Sequence, residues 1–331
     1  MNDNSTIWAL VLAAGEGSRL KRLTTTANGT SVPKQFCSLR GGSSLLRDAL
    51  CRARAVAGPS RVCSIVAAQH RRWWSADLAD LPAANVIVQP ENRGTANGIL
   101  LPVLNIAARD PDATVLMLPA DHHVRDENTL ATALRKAASL ASASPDSVLL
   151  LGIEPDSPDT ELGYIVPQGS AQPSAAVSEF VEKPASAEAR SLLARGALWN
   201  AFIIAASARS ILSMYQRRCD DIVSGMRDAV RLQLAGAGSE AVDELYRHLP
   251  TLDFSRDILQ GRTDSLRVVR VPDCGWTDLG TPQRVAATLQ GLLPVPDYDE
   301  VMERGGGLSL AAQHWRLNGQ RHSSGLFGAR P

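Results

Sequence analysis

The chain has 331 residues, of which 44% are hydrophobic and 21% are charged, an ordinary composition for a soluble globular protein. Its 34 lysine and arginine residues equal its 34 aspartate and glutamate residues, so the bulk charge favours neither nucleic acid nor a membrane surface as a partner. The five cysteines are scattered and lack the paired spacing of a metal site, which is typical of reduced thiols. We therefore expect a cytoplasmic protein with no signal peptide and no transmembrane segment.

Short apolar runs alternate with segments of helical spacing through the first half of the chain. The predicted strands are IWALVLA, VCSIVAA, NVIVQP, ATVLMLPA and SVLLLGI. Helices are predicted for SSLLRDALCRARAVA, TANGILLPVLNIAARD and ENTLATALRKAASLAS. This alternation predicts an α/β fold: a doubly wound, Rossmann-like, mostly parallel mixed sheet with helices on both faces.

The pattern changes after about residue 155. Shorter strands are predicted for YIVPQG, AVSEFVEK and WNAFIIAA, followed by helices and by a returning strand, SLRVVRVP. We predict one domain over 1–290, whose halves, about 1–155 and about 156–290, form the two walls of a cleft. The segment 291–331, with its glycine triplet, is predicted to be a peripheral or partly disordered tail.

The stretch LAAGEGSRL follows the first predicted strand. Gly15 and Gly17 permit a simple turn, but the backbone N–H groups of such a loop can also hold a phosphate. The spacing does not match the dinucleotide fingerprint, because Leu20 stands at the third glycine position. Arg19 and Lys34 would be solvated surface residues in the simpler interpretation. Two cations flanking one glycine loop favour phosphate binding.

Two carboxylates follow strands that lie far apart in the sequence. Asp121 ends the strand in LPADHH, and Asp278 follows the last strand in GWTDLG. Either residue alone is explained equally well as a turn or capping aspartate. Together they suit Mg²⁺, which prefers oxygen ligands and bridges phosphates. His122 and His123 do not predict a zinc site, because adjacent side chains on extended chain point to opposite sides.

A third group of polar residues lies in FVEKP and LWNAF. Lys183 beside a proline turn could hold a second phosphate, and Asn200 could hydrogen-bond a sugar hydroxyl. Taken alone, Glu182 and Lys183 favour an exposed ion pair, and Asn200 favours a turn residue.

Seven motifs occur in the order seen in sugar-nucleotide pyrophosphorylases, between about Ile7 and Gln290. They are LAAGEGSRL…PKQF…SLL, QPENRGTA, LPADHH, GY, FVEKP, LWNAF and GWTDLG. The chain resembles this family and is most similar to its mannose-1-phosphate guanylyltransferase branch. Any one motif is weakly specific, whereas seven in order are highly specific.

The resemblance implies a nucleotidyltransferase fold that transfers a nucleoside monophosphate from GTP to mannose 1-phosphate with Mg²⁺ as cofactor. The catalytic residues it implies are Arg19, Lys34, Asp121, Lys183 and Asp278, with Asp121 and Asp278 as the metal ligands. The nucleotide-binding residues it implies are Leu12, Ala13, Ala14, Gly15, Gly17, Ser18, Arg19, Lys34, Gln89, Asn92, Gly94, Thr95 and Ala96. The sugar-phosphate-binding residues it implies are Asp121, Gly163, Tyr164, Glu182, Lys183 and Asn200.

The chain departs from the guanylyltransferase pattern at Ala14, at Gly94 and at Ala201. Ala14 is shared with thymidylyl- and uridylyltransferase relatives, so UTP or dTTP, and glucose or heptose 1-phosphate, stay open as substrates. A catalytically silent nucleotide-sugar sensor is the alternative of another class, and the retained aspartates and cations disfavour it. A nicotinamide-dependent oxidoreductase is disfavoured because Leu20 stands at the third glycine position of the dinucleotide fingerprint. A homodimer is left open.

Overall fold

The computed structural model describes residues 6–170, 173–291, 309–311 and 313. Its strands are β1 (Ile7–Ala13), β2 (Val62–Ala67), β3 (Val86–Gln89), β4 (Thr114–Pro119), β5 (Val148–Ile153), β6 (Tyr164–Pro167), β7 (Ala175–Val181), β8 (Leu198–Ser207) and β9 (Leu266–Val271). Its α-helices are α1 (Leu45–Arg54), α2 (Arg71–Trp74), α3 (Gly94–Arg109), α4 (Glu127–Ala143), α5 (Ser186–Ala194), α6 (Ala208–Leu234), α7 (Glu240–His248) and α8 (Pro282–Gly291). Each predicted strand coincides with an observed strand, within a few residues at its ends.

The strands form one mixed sheet in the order β3-β2-β1-β4-β8-β5-β9-β7-β6. Strands β1 to β4 pair in parallel, as do β5 and β9. The prediction of a mixed α/β sheet is confirmed, but the simple doubly wound arrangement is corrected at its centre. There β8 runs antiparallel to both β4 and β5. Since β8 is buried along nearly its whole length, it needs neighbours on both edges and cover on both faces.

A second departure from a simple doubly wound sheet lies in its second half. Strands β5, β9, β7 and β6 pair successively, and β6 also returns to pair with the start of β8. The pairing between β5 and β8 shifts register between Leu150 and Gly152. A Cβ atom on Gly152 would stand 2.6 Å from Leu198 Cδ1, so only glycine fits at this shift. This part of the sheet carries residues that line a cleft.

Apolar cores lie on both faces of the sheet, as the alternation of β1 predicts. Ala9 and Val11 face a core that includes α1, α4, α5 and α8, whereas Trp8 and Leu10 face a core that includes α3, α6 and α7. Leu10 is fully buried, so its truncation to alanine would cost about 2–5 kcal/mol of unfolding free energy. The predicted helices on both faces are therefore confirmed.

Part of the segment predicted as a tail contacts the body of the domain. Leu310 N donates to Ser38 O at 2.8 Å, and both Leu310 and Ala311 are buried in the first core. The rest of 291–331, apart from Gly291, Ser309 and Gln313, lies outside the described residues. Among the helices described, none is both long enough and apolar enough to cross a bilayer.

Candidate active site

A cleft of about 560 Å³ opens at the carboxyl ends of β1 and β4, where ligands of open α/β sheets bind. Most of the residues predicted to bind substrate line it, although they come from distant parts of the sequence. They are Leu12, Ala14, Gly15, Arg19, Gln89, Asn92, Gly94, Thr95, Asp121, Gly163, Glu182, Lys183, Asn200 and Asp278.

Six predicted site residues lie outside the lining of this cleft. Ala13 and Ala96 are buried in the cores, and Ser18 is exposed on a short helical turn after the loop. Tyr164 is fully buried, and its hydroxyl accepts a hydrogen bond from Asp159 N at 2.7 Å, so it supports the fold. The remaining two are Gly17, which packs against Lys34, and Lys34 itself, whose ammonium contacts Asp121 and the backbone of Asp278.

The glycine loop after β1 is shaped by its packing on the segment that carries Lys34. Gly17 has a φ of 63°, and a Cβ atom there would stand 2.8 Å from Lys34 N. Gln35 Nε2 donates to the carbonyl oxygens of Ala13 and Gly15 at 2.9 and 2.8 Å. These two hydrogen bonds fix the path of the loop and occupy the carbonyl oxygens of Ala13 and Gly15.

Lys34 contacts both of the aspartates that the sequence predicts to bind metal. Its side chain is only 6% exposed, and its Nζ atom lies 3.0 Å from Asp121 Oδ2. The same ammonium donates to the backbone carbonyl of Asp278 at 2.5 Å. Burial raises the pKa of Asp121, but the charge and the hydrogen bond of Lys34 oppose this effect, and the pKa is lowered overall. Asp121 is therefore ionised at neutral pH.

His122 is held beside Asp121 by Trp276. Trp276 Nε1 lies 3.2 Å from His122 Nδ1, and the two rings meet edge to face with centroids 5.2 Å apart. An indole nitrogen only donates, so Nδ1 accepts and the proton of the neutral imidazole sits on Nε2. That atom lies 3.8 Å from Asp121 Oδ1. Burial lowers the pKa of His122 to about 3, so the ring is neutral at physiological pH.

The loop that carries His122 is fastened to the loop that carries Asp278. His123 and Thr277 exchange two backbone hydrogen bonds, each of 2.9 Å. The paired loops bring the strand end of β4 and the segment after β9 to one end of the cleft.

Asp278 is enclosed by hydrogen-bond donors. Gly280 N donates to Asp278 Oδ1 at 2.9 Å, and a Cβ atom on Gly280 would collide with the carboxylate. Arg284 forms ion pairs with both Asp278 and Asp159. Burial raises the pKa of Asp278, an effect that the Gly280 hydrogen bond and the Lys34 charge oppose. No motif in the sequence marks Arg284 or Asp159, and only the fold brings them together.

The side chains predicted to bind metal at this end of the cleft are carboxylates, whose oxygen atoms suit a hard cation such as Mg²⁺. Within the described residues, no group of three or more His, Cys, Asp or Glu side chains forms a cage for a metal ion. Mg²⁺ commonly uses one or two carboxylates and takes its other ligands from water and substrate phosphates. Asp121 and Asp278, which share contacts with Lys34, supply carboxylates of that kind.

One wall of the cleft, which we define as residues 12–19 and 89–95 and name the nucleotide wall after its predicted ligand, has a free buried acceptor. Gln89 is 2% exposed, and its Oε1 atom has no hydrogen-bond partner in the part of the chain that the structure describes. Asn92 Oδ1 accepts from Gly94 N at 3.0 Å, and Gly94 has a φ of 84°. A Cβ atom on Gly94 would stand 2.1 Å from Leu252 O, so glycine allows α3 to begin against this segment.

A second wall, which we name the sugar wall after its predicted ligand, is built on β6, β7 and β8. We define it by Gly163, Glu182, Lys183 and Asn200. Asn200 N donates to Gly163 O at 2.8 Å, and a Cβ atom on Gly163 would stand 2.7 Å from Glu182 Oε2. Burial and the charge of Asp253 raise the pKa of Glu182. Lys183 is exposed and has a φ of 49°, a conformation unusual for a residue other than glycine.

One ion pair crosses the mouth of the cleft between the two halves of the chain. Arg19 Nη1 lies 3.2 Å from Glu161 Oε2, and both side chains are about half exposed. Glu161 and Asp253 are cleft residues that the sequence does not identify, because neither belongs to a recognisable local motif. Gln35 and His122, by contrast, stand inside PKQF and LPADHH and could have been inferred from those motifs.

The fold and the cleft agree with the comparison to known proteins. The family model described as Nucleotidyl transferase matches residues 8–292, and the chain belongs to that family. It is 31% identical over 288 residues to mannose-1-phosphate guanylyltransferase of Escherichia coli (strain K12), across 84% of this chain and 58% of that protein. It is 30% identical over 288 residues to mannose-1-phosphate guanylyltransferase ManC of Salmonella typhimurium (strain LT2), across 83% of this chain and 58% of that protein.

A solved structure supports the same family. The crystal structure of mannose-1-phosphate geranyltransferase from Thermus thermophilus matches with a TM-score of 0.70 at 28% identity, across 83% of this chain and 76% of that chain. The chain spans 58% of the length of the two bacterial guanylyltransferases that it matches.

Proposed function

We propose that the protein transfers a nucleoside monophosphate from a nucleoside triphosphate, GTP, to a sugar 1-phosphate, mannose 1-phosphate. The products are a nucleotide-sugar and pyrophosphate. One observation carries the proposal: Lys34 contacts both Asp121 and the backbone of Asp278 where the nucleotide and sugar walls meet. The names of the relatives support GTP and mannose 1-phosphate as the particular substrates.

In the proposed reaction, an oxygen of the sugar phosphate attacks the α-phosphorus of the triphosphate. The bond from that phosphorus to the bridging oxygen breaks, and pyrophosphate leaves with the electron pair. The attacking oxygen is already anionic, so the step needs no strong general base. The main barrier is the approach of several anions, and the site must supply positioning and charge stabilisation.

The cations of the cleft suit this demand. Arg19 would steady the leaving pyrophosphate once it exchanges the Glu161 carboxylate for phosphate oxygens. Lys34 is buried and held between two aspartates, so it would fix Asp121 and place a positive charge beneath the phosphates. Lys183 on the sugar wall would contact the attacking phosphate.

Asp121 and Asp278 would hold a magnesium ion. When bound, Mg²⁺ supplies charge that offsets the repulsion between reacting phosphates and orients them. His122 lies beside Asp121, with its Nε2 atom 3.8 Å from Oδ1, and would limit the movement of the carboxylate by packing. Arg284 and Gly280 would limit the movement of Asp278 through an ion pair and a hydrogen bond.

A free acceptor on the nucleotide wall bears on the choice of base. Gln89 Oε1, buried and without a partner within the described residues, can accept an N–H of a nucleobase edge. Guanine, uracil and thymine each offer a ring N–H donor, so this atom is compatible with GTP, UTP and dTTP. The base is therefore proposed from the relatives, with UTP or dTTP as the alternatives that Ala14 leaves open.

The test is pyrophosphate release in the presence of Mg²⁺. GTP, ATP, CTP, UTP and dTTP are each crossed with mannose, glucose and heptose 1-phosphates, with Asp121→Asn as the matched inactive control. We expect release with GTP and mannose 1-phosphate. Release with another pair would correct the substrates and keep the reaction. No release from any pair, with GDP-mannose still bound, would contradict the reaction and favour a nucleotide-sugar sensor.

A further inference from the structure

A second cavity, of about 520 Å³, lies apart from the cleft. The first part of α6, the loop 260–265 and Asp146 line it, and within the described residues none lines both this cavity and the cleft. Its volume is close to that of the cleft and within the range of small-molecule sites, about 300–1,000 Å³.

Four arginines converge on the second cavity: Arg209, Arg217, Arg218 and Arg262. Arg209 and Arg217 are eight residues apart on α6, two steps of the four-residue spacing that places side chains on one face of a helix. Arg262 approaches from the facing loop. The lining also offers the hydroxyl groups of Ser213 and Ser265 as hydrogen-bond donors.

These four guanidinium groups make neither a side-chain hydrogen bond nor an ion pair within the described residues. Other arginines of the chain are engaged, for example Arg52 with Glu127 at 2.7 Å. Asp146 and Asp264 also line the cavity, yet neither pairs with an arginine there. The lining therefore carries a net charge of about +2 in a chain whose net charge is zero.

We propose that the second cavity binds a small molecule carrying two or more phosphate groups. The planar guanidinium fork matches two phosphate oxygens at once, and four such groups around one concavity can together engage the oxygens of more than one phosphate. Nucleic acid is disfavoured as the ligand because the arginines converge on a hollow rather than extend along the surface. The inference does not depend on the proposed transfer reaction.

The position of the cavity keeps its ligand distinct from the substrates. Met214 lines it, and the next residue, Tyr215, turns to the other side and donates to Ala96 O at 2.7 Å behind the nucleotide wall. A ligand in the second cavity and a triphosphate in the cleft would therefore contact different arginines. Protection of Arg19 from chemical labelling would therefore indicate binding in the cleft, and protection of Arg217 and Arg262 would indicate binding in the second cavity.

The test is protection of arginines from phenylglyoxal, read at each residue by mass spectrometry. Inorganic pyrophosphate, without metal, is added at increasing concentration, with inorganic phosphate, GTP and a twelve-nucleotide RNA as parallel arms. We expect pyrophosphate or GTP to slow labelling of Arg217 and Arg262 at least about fivefold. Arg227, on the far part of α6 outside the cavity, serves as the internal control and should label at an unchanged rate.

A pair of variants checks the same point in solution. Arg217→Gln/Arg218→Gln should raise the dissociation constant for protection of Arg262 at least about tenfold, since two charge-assisted contacts are lost. Arg227→Gln/Arg231→Gln removes the same charge from the same helix and should change this dissociation constant less than twofold.

Several outcomes would overturn the proposal: equal protection of Arg227, protection by RNA alone, or no protection of Arg217 and Arg262 at millimolar pyrophosphate or GTP. Protection of Arg19 in the same experiment reports separately on the cleft. Failure of the proposed reaction is thereby distinguished from failure of this inference.

Discussion

The nucleotide wall and the sugar wall of the cleft are built in different ways. The nucleotide wall follows parallel strands, and each of its motifs stands directly after the strand that positions it. The sugar wall comes from β6, β7 and β8, which pair antiparallel, and it is closed by contacts among Gly163, Glu182 and Asn200. Both walls bring together residues that are distant in the sequence, one at the ends of parallel strands and the other on antiparallel strands.

This difference predicts how each wall responds to mutation. A change on the nucleotide wall should affect the triphosphate alone, and a change on the sugar wall should affect the sugar phosphate alone. A change where they meet, at Asp121 and Lys34, should affect the chemical step. The following predictions use the proposed reaction and proceed from the largest expected effect to the smallest.

Asp121→Asn should lower kcat by about 10²–10³, because it removes a charge at the reacting phosphates. The KM values of both substrates should change little. Steady-state kinetics measure both quantities. Asp112→Asn changes an exposed acid before β4 in the same way and should leave kcat unaltered. A kcat of Asp121→Asn within a factor of three of that of the unaltered protein would show that Asp121 does not take part in the chemical step.

Lys183→Met should raise the KM of the sugar phosphate by about 10–100-fold, the value of one charge-assisted contact. The KM of the triphosphate should stay within twofold. Lys136→Met, on α4 and remote from the cleft, is the matched control. An equal rise in both KM values would mean that the two walls do not act separately.

Gln89→Leu should raise the KM of the triphosphate by about 5–10-fold, because the base loses its buried acceptor. The KM of the sugar phosphate should not change. The discrimination between GTP and ATP should weaken, which a competition assay measures directly. Gln168→Leu alters an amide outside the cleft and controls for the change in polarity. Unaltered discrimination would exclude Gln89 from contact with the base.

His122 gives a prediction for stability. Burial lowers its pKa to about 3 in the folded protein, against an ordinary value of 6.5. Between these values the unfolded chain binds a proton that the folded protein does not. The free energy of unfolding should therefore fall as the pH falls from about 6.5, with His122 contributing up to about 1.4 kcal/mol per pH unit.

Urea unfolding at pH 7, 6 and 5 tests the His122 prediction. His122→Asn should have a shallower slope, because it lacks that proton, while His123 still contributes in both proteins. Asp121, whose pKa is below 3.8, titrates outside this window. An identical pH slope in the two proteins would show that His122 is not held neutral by burial.

Much of the fold follows from local pattern. The apolar runs locate every strand, and their alternation with helices gives the class and the end of the sheet where the cleft lies. The antiparallel position of β8 does not follow, because the direction of a strand depends on long-range pairing. An apolar run such as FIIAA in β8 is compatible with either strand direction.

The same distinction between local sequence pattern and long-range packing applies to the site. Asp121, Asp278 and the glycine loop stand at strand ends and can be proposed from their positions. The buried contacts of Lys34 cannot, since they span 244 residues to Asp278. Arg284 and Glu161 have no local signal, and they enter the site only through the packing of α8 and of the loop after β5.

The most direct test of the proposed reaction is its reversal. GDP-mannose and Mg²⁺ are incubated with ³²P-labelled pyrophosphate, and labelled GTP is measured. The account predicts that the protein forms labelled GTP and that Asp121→Asn forms it at least about a hundredfold more slowly. If GDP-mannose binds but no label enters any nucleoside triphosphate, with UDP- and dTDP-glucose also tested, the cleft does not transfer nucleotides and the central claim is contradicted.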